Sequence, residues 1–238
     1  MNQMNYFSLD THLIKTGGTT LPNSKKYQTI LFDLDGTLTD PKIGITKSVQ
    51  YALKSFGIEE SLENLIPFIG PPLKYSFVNL YQFDEAKATL AIAKYREYFA
   101  VTGLYENELF AGVPELLQDL RTEGKTLALA TSKPTVYADQ ILEHFKIREY
   151  FTFVAGSNLD GSRVEKAEVI AYALKNLGVS DYSQVIMIGD RKHDLIGAKT
   201  VGVDSIGVLY GYGSHEELSA EVPTWLAKDL VELREILL

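Results

Sequence analysis

Cysteine is absent from the 238 residues. That excludes disulfides, thiolate metal sites and a cysteine nucleophile, and it fits a reducing compartment. Long apolar runs are absent too. No stretch reaches transmembrane length, and residues 1–26 hold no apolar run of the length a secretory signal requires. Residues 1–26, with a Gly/Thr/Pro/Asn/Ser-rich stretch at 16–24, read as a flexible leader and are left out of the fold argument. Positive charge is scarce: 23 Lys and Arg stand against 31 Asp and Glu, a formal charge of −8. Such a balance argues against general binding to nucleic acid or to a membrane surface. The expected setting is the cytoplasm, with neither of those partners. There is no internal repeat, and the sequence carries no signal for an oligomeric state.

What is present is ordinary globular material, 45% hydrophobic and 23% charged. The length suits one large domain, or a core with a small insert, and a substantial apolar core needs no staples at this size. After Tyr27 the chain alternates strand-like and helix-like segments. Short apolar runs fall at 29–32, 126–130, 151–155, 185–188 and 205–209. Their near-continuous apolar character suits strands covered on both faces. Between them lie helical periodicities: Val113, Leu116, Leu117, Leu120; then Ala138, Ile141, Leu142, Phe145; then Ile170, Ala173, Leu174, Leu177. Pro134 fits a first helical turn and Gly178 a helix C-cap. The pattern predicts an α/β fold, a Rossmann-like parallel sheet with helices on both faces.

Residues 42–109 break the alternation. They read as helices at roughly 45–57, 72–81 and 85–101, punctuated by Gly57, Pro67 and the Gly70-Pro71-Pro72 turn. We therefore expect an α/β core of 27–41 and 110–238, with a small all-helical cap of 42–109 inserted after the first strand. Sites in open α/β sheets lie at the C-terminal strand ends, so a cap entering there sits above the chemistry.

The first strand ends in Asp33-Leu34-Asp35-Gly36-Thr37. If the strand continues to residue 35, both carboxylates point the same way. Gly36 lets the chain turn sharply. Two carboxylates aimed at one point repel unless a cation lies between them, which implies a hard divalent metal. The run at 185–188 ends in Gly189-Asp190, and Asp194 follows four residues later at a helix start. Asp190 would stand beside Asp33 at an equivalent strand end. A third strand end carries Thr131-Ser132-Lys133-Pro134, where a hydroxyl and free backbone N–H groups would form an anion site at a helix start.

Asp33-Leu34-Asp35-Gly36-Thr37-Leu38 resembles the first motif of the haloacid dehalogenase superfamily, and the resemblance covers about residues 27–238. It implies Asp33 as nucleophile and Asp35 as general acid/base, with the Asp35 backbone carbonyl on magnesium. Relatives that cleave carbon–halogen bonds lack the second aspartate, so its presence favours phosphoryl transfer. Gly189–Asp194 resembles the fourth motif, implying Asp190 as a direct metal ligand and Asp194 as holding the metal through water or supporting its ligands from behind. Arg191 and Lys192 either add positive potential or are simply solvated, and His193 reads as local packing or capping. Thr131 and Ser132 resemble the second motif, implying phosphate donors there and at the Gly36 turn.

The third motif is normally a lysine. Candidates are Arg163, Lys166 and Lys133; Lys166 is chosen, at the start of the amphipathic helix 166–177. The form Asp160-Gly161-Ser162-Arg163-Val164-Glu165-Lys166 looks like a 5′-nucleotidase-like branch. Phe68–Leu73 resembles the cap loop of phosphoglycolate phosphatase relatives, so Gly70, Pro71 and Lys74 are candidate substrate contacts. Most nearby aromatics, Tyr75 and Phe77 among them, read more simply as cap core. The resemblance implies a Mg²⁺-dependent phosphatase acting on a small phosphorylated metabolite, such as phosphoglycolate or a nucleoside 5′-monophosphate. A phosphomutase of the same superfamily is the alternative. The presence of all four acidic positions argues against an idle binding relative.

Overall fold

A computed structural model describes residues 27–238, so the leader assigned to 1–26 lies outside the described residues. Six strands form one parallel sheet in the order β5-β4-β1-β6-β7-β8. They are β1 (Thr29–Phe32), β4 (Thr126–Pro134), β5 (Phe153–Ser157), β6 (Val185–Gly189), β7 (Asp204–Val208) and β8 (Trp225–Ala227). Strand β1 is fully buried in the middle, because its side chains serve two cores in alternation. Ile30 and Phe32 join Leu127, Leu129, Ile186 and Ile188 on one face, packed with Leu117 and Leu120. Leu31 joins Ala128 and Met187 on the other, packed with Val169, Ile170 and Leu174. Helices α4 (Val113–Thr122), α5 (Thr135–His144), α6 (Lys166–Leu177), α7 (Lys192–Val201), α8 (His215–Ala220) and α9 (Leu230–Leu237) surround the sheet. No helix among the described residues is long and apolar enough to cross a membrane.

The helical segment leaves the core through a two-stranded antiparallel ribbon. Strands β2 (Thr39–Asp40) and β3 (Glu108–Leu109) pair Thr39 with Leu109 and Asp40 with Glu108. Between them lie α1 (Lys42–Lys54), α2 (Leu73–Tyr81) and α3 (Glu85–Tyr98), with a 3₁₀ turn at Glu63–Phe68 and a π turn at Phe99–Gly103. Phe77 packs on Phe68 and stacks on Phe83, at centroid separations of 5.0 and 5.8 Å. This aromatic nucleus is the segment's own core, as expected of Phe77; Tyr75 is instead exposed, because it faces a groove beside His193.

Two differences from the sequence reading matter. Strand β4 does not stop at Ala130. It continues irregularly through Thr131-Ser132-Lys133 until Pro134 pairs with Ser157, so the expected helix start lies at Thr135. The physical reason is a register shift, which keeps Thr131 to Lys133 in the strand, at its C-terminal end where they line the cavity. Strands β2, β3 and β8 hold only two or three residues, too short for a hydrophobic period to register.

Candidate active site

Register brings the motif residues together. Phe32 lies opposite Leu129 and Ile188, so Asp33 emerges beside the ends of β4 and β6. The Asp33 N–H donates to the Ile188 carbonyl at 2.9 Å, which fixes the level of the nucleophile candidate. Gly36 has φ +81°, and a Cβ there would stand 2.1 Å from the Asp190 carboxylate. Only glycine allows both the turn and that approach. Its N–H donates to the Thr39 carbonyl at 2.7 Å, so its place follows from the turn.

Asp33, Asp190 and Asp194 are all buried and present carboxylate oxygens within 4.8 Å of one another. At an effective dielectric of about 20, two charges at that separation repel by roughly 3 kcal/mol. Lys166 answers part of this. Its ammonium is 3.0 Å from Asp33 and 2.7 Å from Asp194, and it donates to the Ala130 carbonyl at 3.0 Å. Burial works against the Lys166 charge, but the carboxylates of Asp194 and Asp33 outweigh it and raise the pKa. The remaining bonds orient the ligand set. The Tyr212 N–H donates to Asp190 Oδ2 at 2.8 Å, and the Arg191 N–H to Asp194 Oδ2 at 3.1 Å.

Three carboxylates against one ammonium leave two formal negative charges in a dry corner. Burial, then Asp194 and Asp33, push the Asp190 carboxyl well above the usual range. Burial pushes Asp194 to about 6 despite Lys166. A buried all-oxygen donor set with that excess charge fits a hard divalent cation.

Asp35 stands on the other side of the pocket. Its Oδ2 is 2.8 Å from the Lys133 ammonium, with both side chains buried. Lys133 also lies 4.6 Å from the Phe99 ring centroid, so its charge rests on a π face. Burial raises the Asp35 pKa, and Lys133 offsets this only in part. Its second oxygen, Oδ1, is buried without a hydrogen-bond partner among the described residues.

Asp33 and Asp35 open into a cavity of about 80 Å³, which Thr131, Ser132 and Lys133 line from the core. Phe68, Gly70, Pro71, Tyr95 and Phe99 line it from the helical segment. Of the three expected segment contacts, Gly70 and Pro71 thus reach this cavity. Lys74 does not: it pairs with Glu85 and lines a neighbouring groove with Tyr75 and His193. His193 sits edge-on to Tyr75 at 6.5 Å, and burial, then Arg191 and Lys192, lower its pKa. Arg163 has its own work, donating to the Gly156 carbonyl and Asn158 and stacking 3.9 Å over Tyr172. Of the three third-motif candidates, only Lys166 touches Asp33. The Thr131 hydroxyl accepts from the Lys133 N–H at 3.3 Å, and the Ser132 hydroxyl donates to the Val164 carbonyl at 3.3 Å.

Sequence reasoning passes over three contributors, Tyr95, Tyr210 and Tyr212, and considers Lys133 only for the third-motif role; the pairing of Lys133 with Asp35 depends on the irregular end of β4. Tyr95 lies on a helix whose pattern marks no face. Tyr210 and Tyr212 brace the first motif, their hydroxyls reaching the Thr37 carbonyl and Asp40. The Tyr210-Gly211-Tyr212-Gly213 run just after a strand end was the signal available for them.

A sequence profile described as haloacid dehalogenase-like hydrolase matches residues 30–208. A 5′-nucleotidase of Pseudomonas aeruginosa is 53% identical over 213 residues, covering 89% of this chain and 96% of that protein. A phosphoglycolate phosphatase of Vibrio parahaemolyticus is 30% identical over 216 residues, covering 87% and 94%. The solved structure of protein tyrosine kinase A of Mycobacterium tuberculosis superposes with a TM-score of 0.77 at 39% identity, covering 89% and 98%.

Proposed function

We propose, from the premise that the chain belongs to the haloacid dehalogenase-like hydrolase family and is a phosphatase of it, that it hydrolyses a small phosphate monoester through an aspartyl-phosphate on Asp33. The observation that carries this reading is the setting of Asp33. It is a buried carboxylate opening into a pocket, 3.0 Å from Lys166 and sharing one point with Asp190 and Asp194. In the first step an Asp33 oxygen attacks phosphorus, the ester P–O bond breaks, and Asp35 gives a proton to the leaving oxygen. In the second, Asp35 takes a proton from the water that attacks the same phosphorus, and inorganic phosphate leaves as Asp33 is restored. Lys166 holds Asp33 in place and offsets phosphate charge, while Thr131 and Ser132 donate to the phosphate oxygens.

Asp33, Asp190, Asp194 and the Asp35 backbone carbonyl would hold Mg²⁺, which when bound supplies positive charge beside the phosphoryl oxygens. Residues 42–109 serve as a cap over a core of 27–41 and 110–238, excluding bulk water during the first step. Among substrates, the similarity to a 5′-nucleotidase favours a nucleoside 5′-monophosphate, with phosphoglycolate second. A cytoplasmic setting fits the cysteine-free chain.

Asp33→Asn tests the reading. Phosphate release from p-nitrophenyl phosphate in Mg²⁺ should fall at least ~10³-fold, with the melting temperature retained. A variant keeping more than a few per cent of turnover, with deamidation to Asp excluded by mass, overturns the nucleophile assignment.

A further inference from the structure

The wall facing the leaving group is built by helix α3 and the π turn after it. Tyr95 is 5% exposed and lines the catalytic cavity with Asp33 and Asp35. Its ring stacks on Phe99, with centroids 5.2 Å apart and planes at 18°. Phe99 is clamped in turn, edge-on to Tyr137 at 5.4 Å and beneath the Lys133 ammonium at 4.6 Å. The Tyr95 ring therefore has little freedom.

Its hydroxyl makes no hydrogen bond to any described residue. The ring is buried while the residue lines the cavity, so the hydroxyl is free to bond what enters there. Tyr95 and Asp35 line the same cavity, and burial, and next the Asp35 carboxylate, raise the tyrosine's pKa well above that of the free residue. Both cations that line the cavity are already engaged. Lys133 is paired with Asp35, and Arg96 donates to the Leu159 carbonyl at 2.9 Å.

We propose that Tyr95 is a specificity-determining residue whose hydroxyl donates a hydrogen bond to an oxygen of the leaving group, selecting esters with an oxygen on the carbon next to the esterified one. The inference rests on the phosphatase reading above. Asp35 must reach the ester oxygen, and Tyr95 lines the same small cavity from the helical segment, so its hydroxyl meets atoms a bond or two further along the leaving group. Nucleoside 5′-monophosphates and phosphoglycolate both carry an oxygen there; simple alkyl and aryl phosphates do not. A rigid donor left unpaired by such esters discriminates against them.

The test compares glycerol 1-phosphate with propyl phosphate, which match in chain length and differ in the neighbouring oxygen. For the unaltered protein, kcat/KM should favour glycerol 1-phosphate by about 3- to 10-fold, the worth of one net hydrogen bond. Tyr95→Phe should collapse that ratio towards unity. A ratio unchanged in the variant, or no preference in the unaltered protein, overturns the role of Tyr95. If neither ester nor p-nitrophenyl phosphate turns over, the phosphatase reading falls instead. Calorimetric binding of the two esters in Mg²⁺ then reads Tyr95 separately: a preference lost in Tyr95→Phe supports it, and equal binding overturns it.

Discussion

Two buried lysines face two aspartates across the same cavity, and the difference lies in what surrounds each pair. Lys166 sits between Asp33 and Asp194, with Asp190 close by, so its corner keeps two negative charges unanswered. Lys133 meets Asp35 alone, over the face of Phe99, and that corner is electrically balanced. The first corner is complete only with a further positive charge; the second is complete as folded. A carboxylate that attacks phosphorus must stay ionised, whereas one that both gives and takes a proton must be able to change state. The two environments suit those two tasks.

Removing each lysine breaks the comparison most directly. Lys166→Met leaves three carboxylates facing one another, and we expect kcat to fall about 10²- to 10³-fold, the scale of losing one preorganised electrostatic partner. Lys133→Met leaves only Asp35 without its partner. Burial already raises the Asp35 pKa, and loss of the ammonium raises it further. Turnover should fall by only about 10-fold. The pH optimum should move upward, because Asp35 has to ionise before it can accept the proton of water. Equal losses from the two variants, with no shift in optimum, would show that the corners are alike.

Metal removal sharpens the same contrast through stability. In chelator, Asp194 titrates at about 6 when folded, above its ordinary value of 3.8. The folded state then binds the proton more tightly than the unfolded one. The stabilising contribution is whole below the unfolded value and fades as pH rises through about 6, by up to roughly 3 kcal/mol for this group alone. Mg²⁺ binds the ionised carboxylates, so it should cancel the decline and stabilise more at pH 7.5 than at pH 4.5. Urea midpoints at the two pH values, with EDTA and with Mg²⁺, measure it. A metal-free protein whose midpoint does not fall over this range would contradict a charge-deficient corner.

Legibility from sequence follows the same division. The Lys166 corner could be read because its members end apolar strands or begin an amphipathic helix, and a parallel sheet brings strand ends together. The Lys133 corner was harder to read. It depends on the irregular continuation of β4, where Thr131-Ser132-Lys133-Pro134 resembles a helix start but remains strand as far as the pairing of Pro134 with Ser157. Tyr95 was hidden for another reason. The buried stripe of α3 is Ala88, Ala91 and Tyr95, two small residues and a phenol. A search for large apolar residues at helical spacing passes over it. Strand β8 is three residues long, below the length at which periodicity carries information.

The smallest expected effect concerns the joint between the two regions. Arg191, next to Asp190, donates Nη1 to the Ile69 carbonyl at 2.6 Å, and its Nε and Nη2 reach Glu217 at 2.9 and 3.3 Å. Glu217 also accepts from the Lys192 N–H at 2.9 Å, so the carboxylate braces the loop that carries Asp190. Gly70 has φ +102°, and a Cβ there would stand 2.8 Å from Arg191 Cγ, so the approach requires glycine. Through this joint the charged core holds the loop that presents Gly70 and Pro71 to the cavity. Glu217→Gln keeps the shape and removes the charge. A partly exposed ion pair contributes about 1 kcal/mol, so KM should rise roughly 2- to 5-fold with kcat changed less. Amide exchange at Ile69, Gly70 and Leu73 should quicken in parallel, since the Ile69 carbonyl depends on a guanidinium that Glu217 positions. A kcat loss with KM and exchange unmoved would mean that Glu217 supports only the Asp190 loop and that the helical segment is held elsewhere.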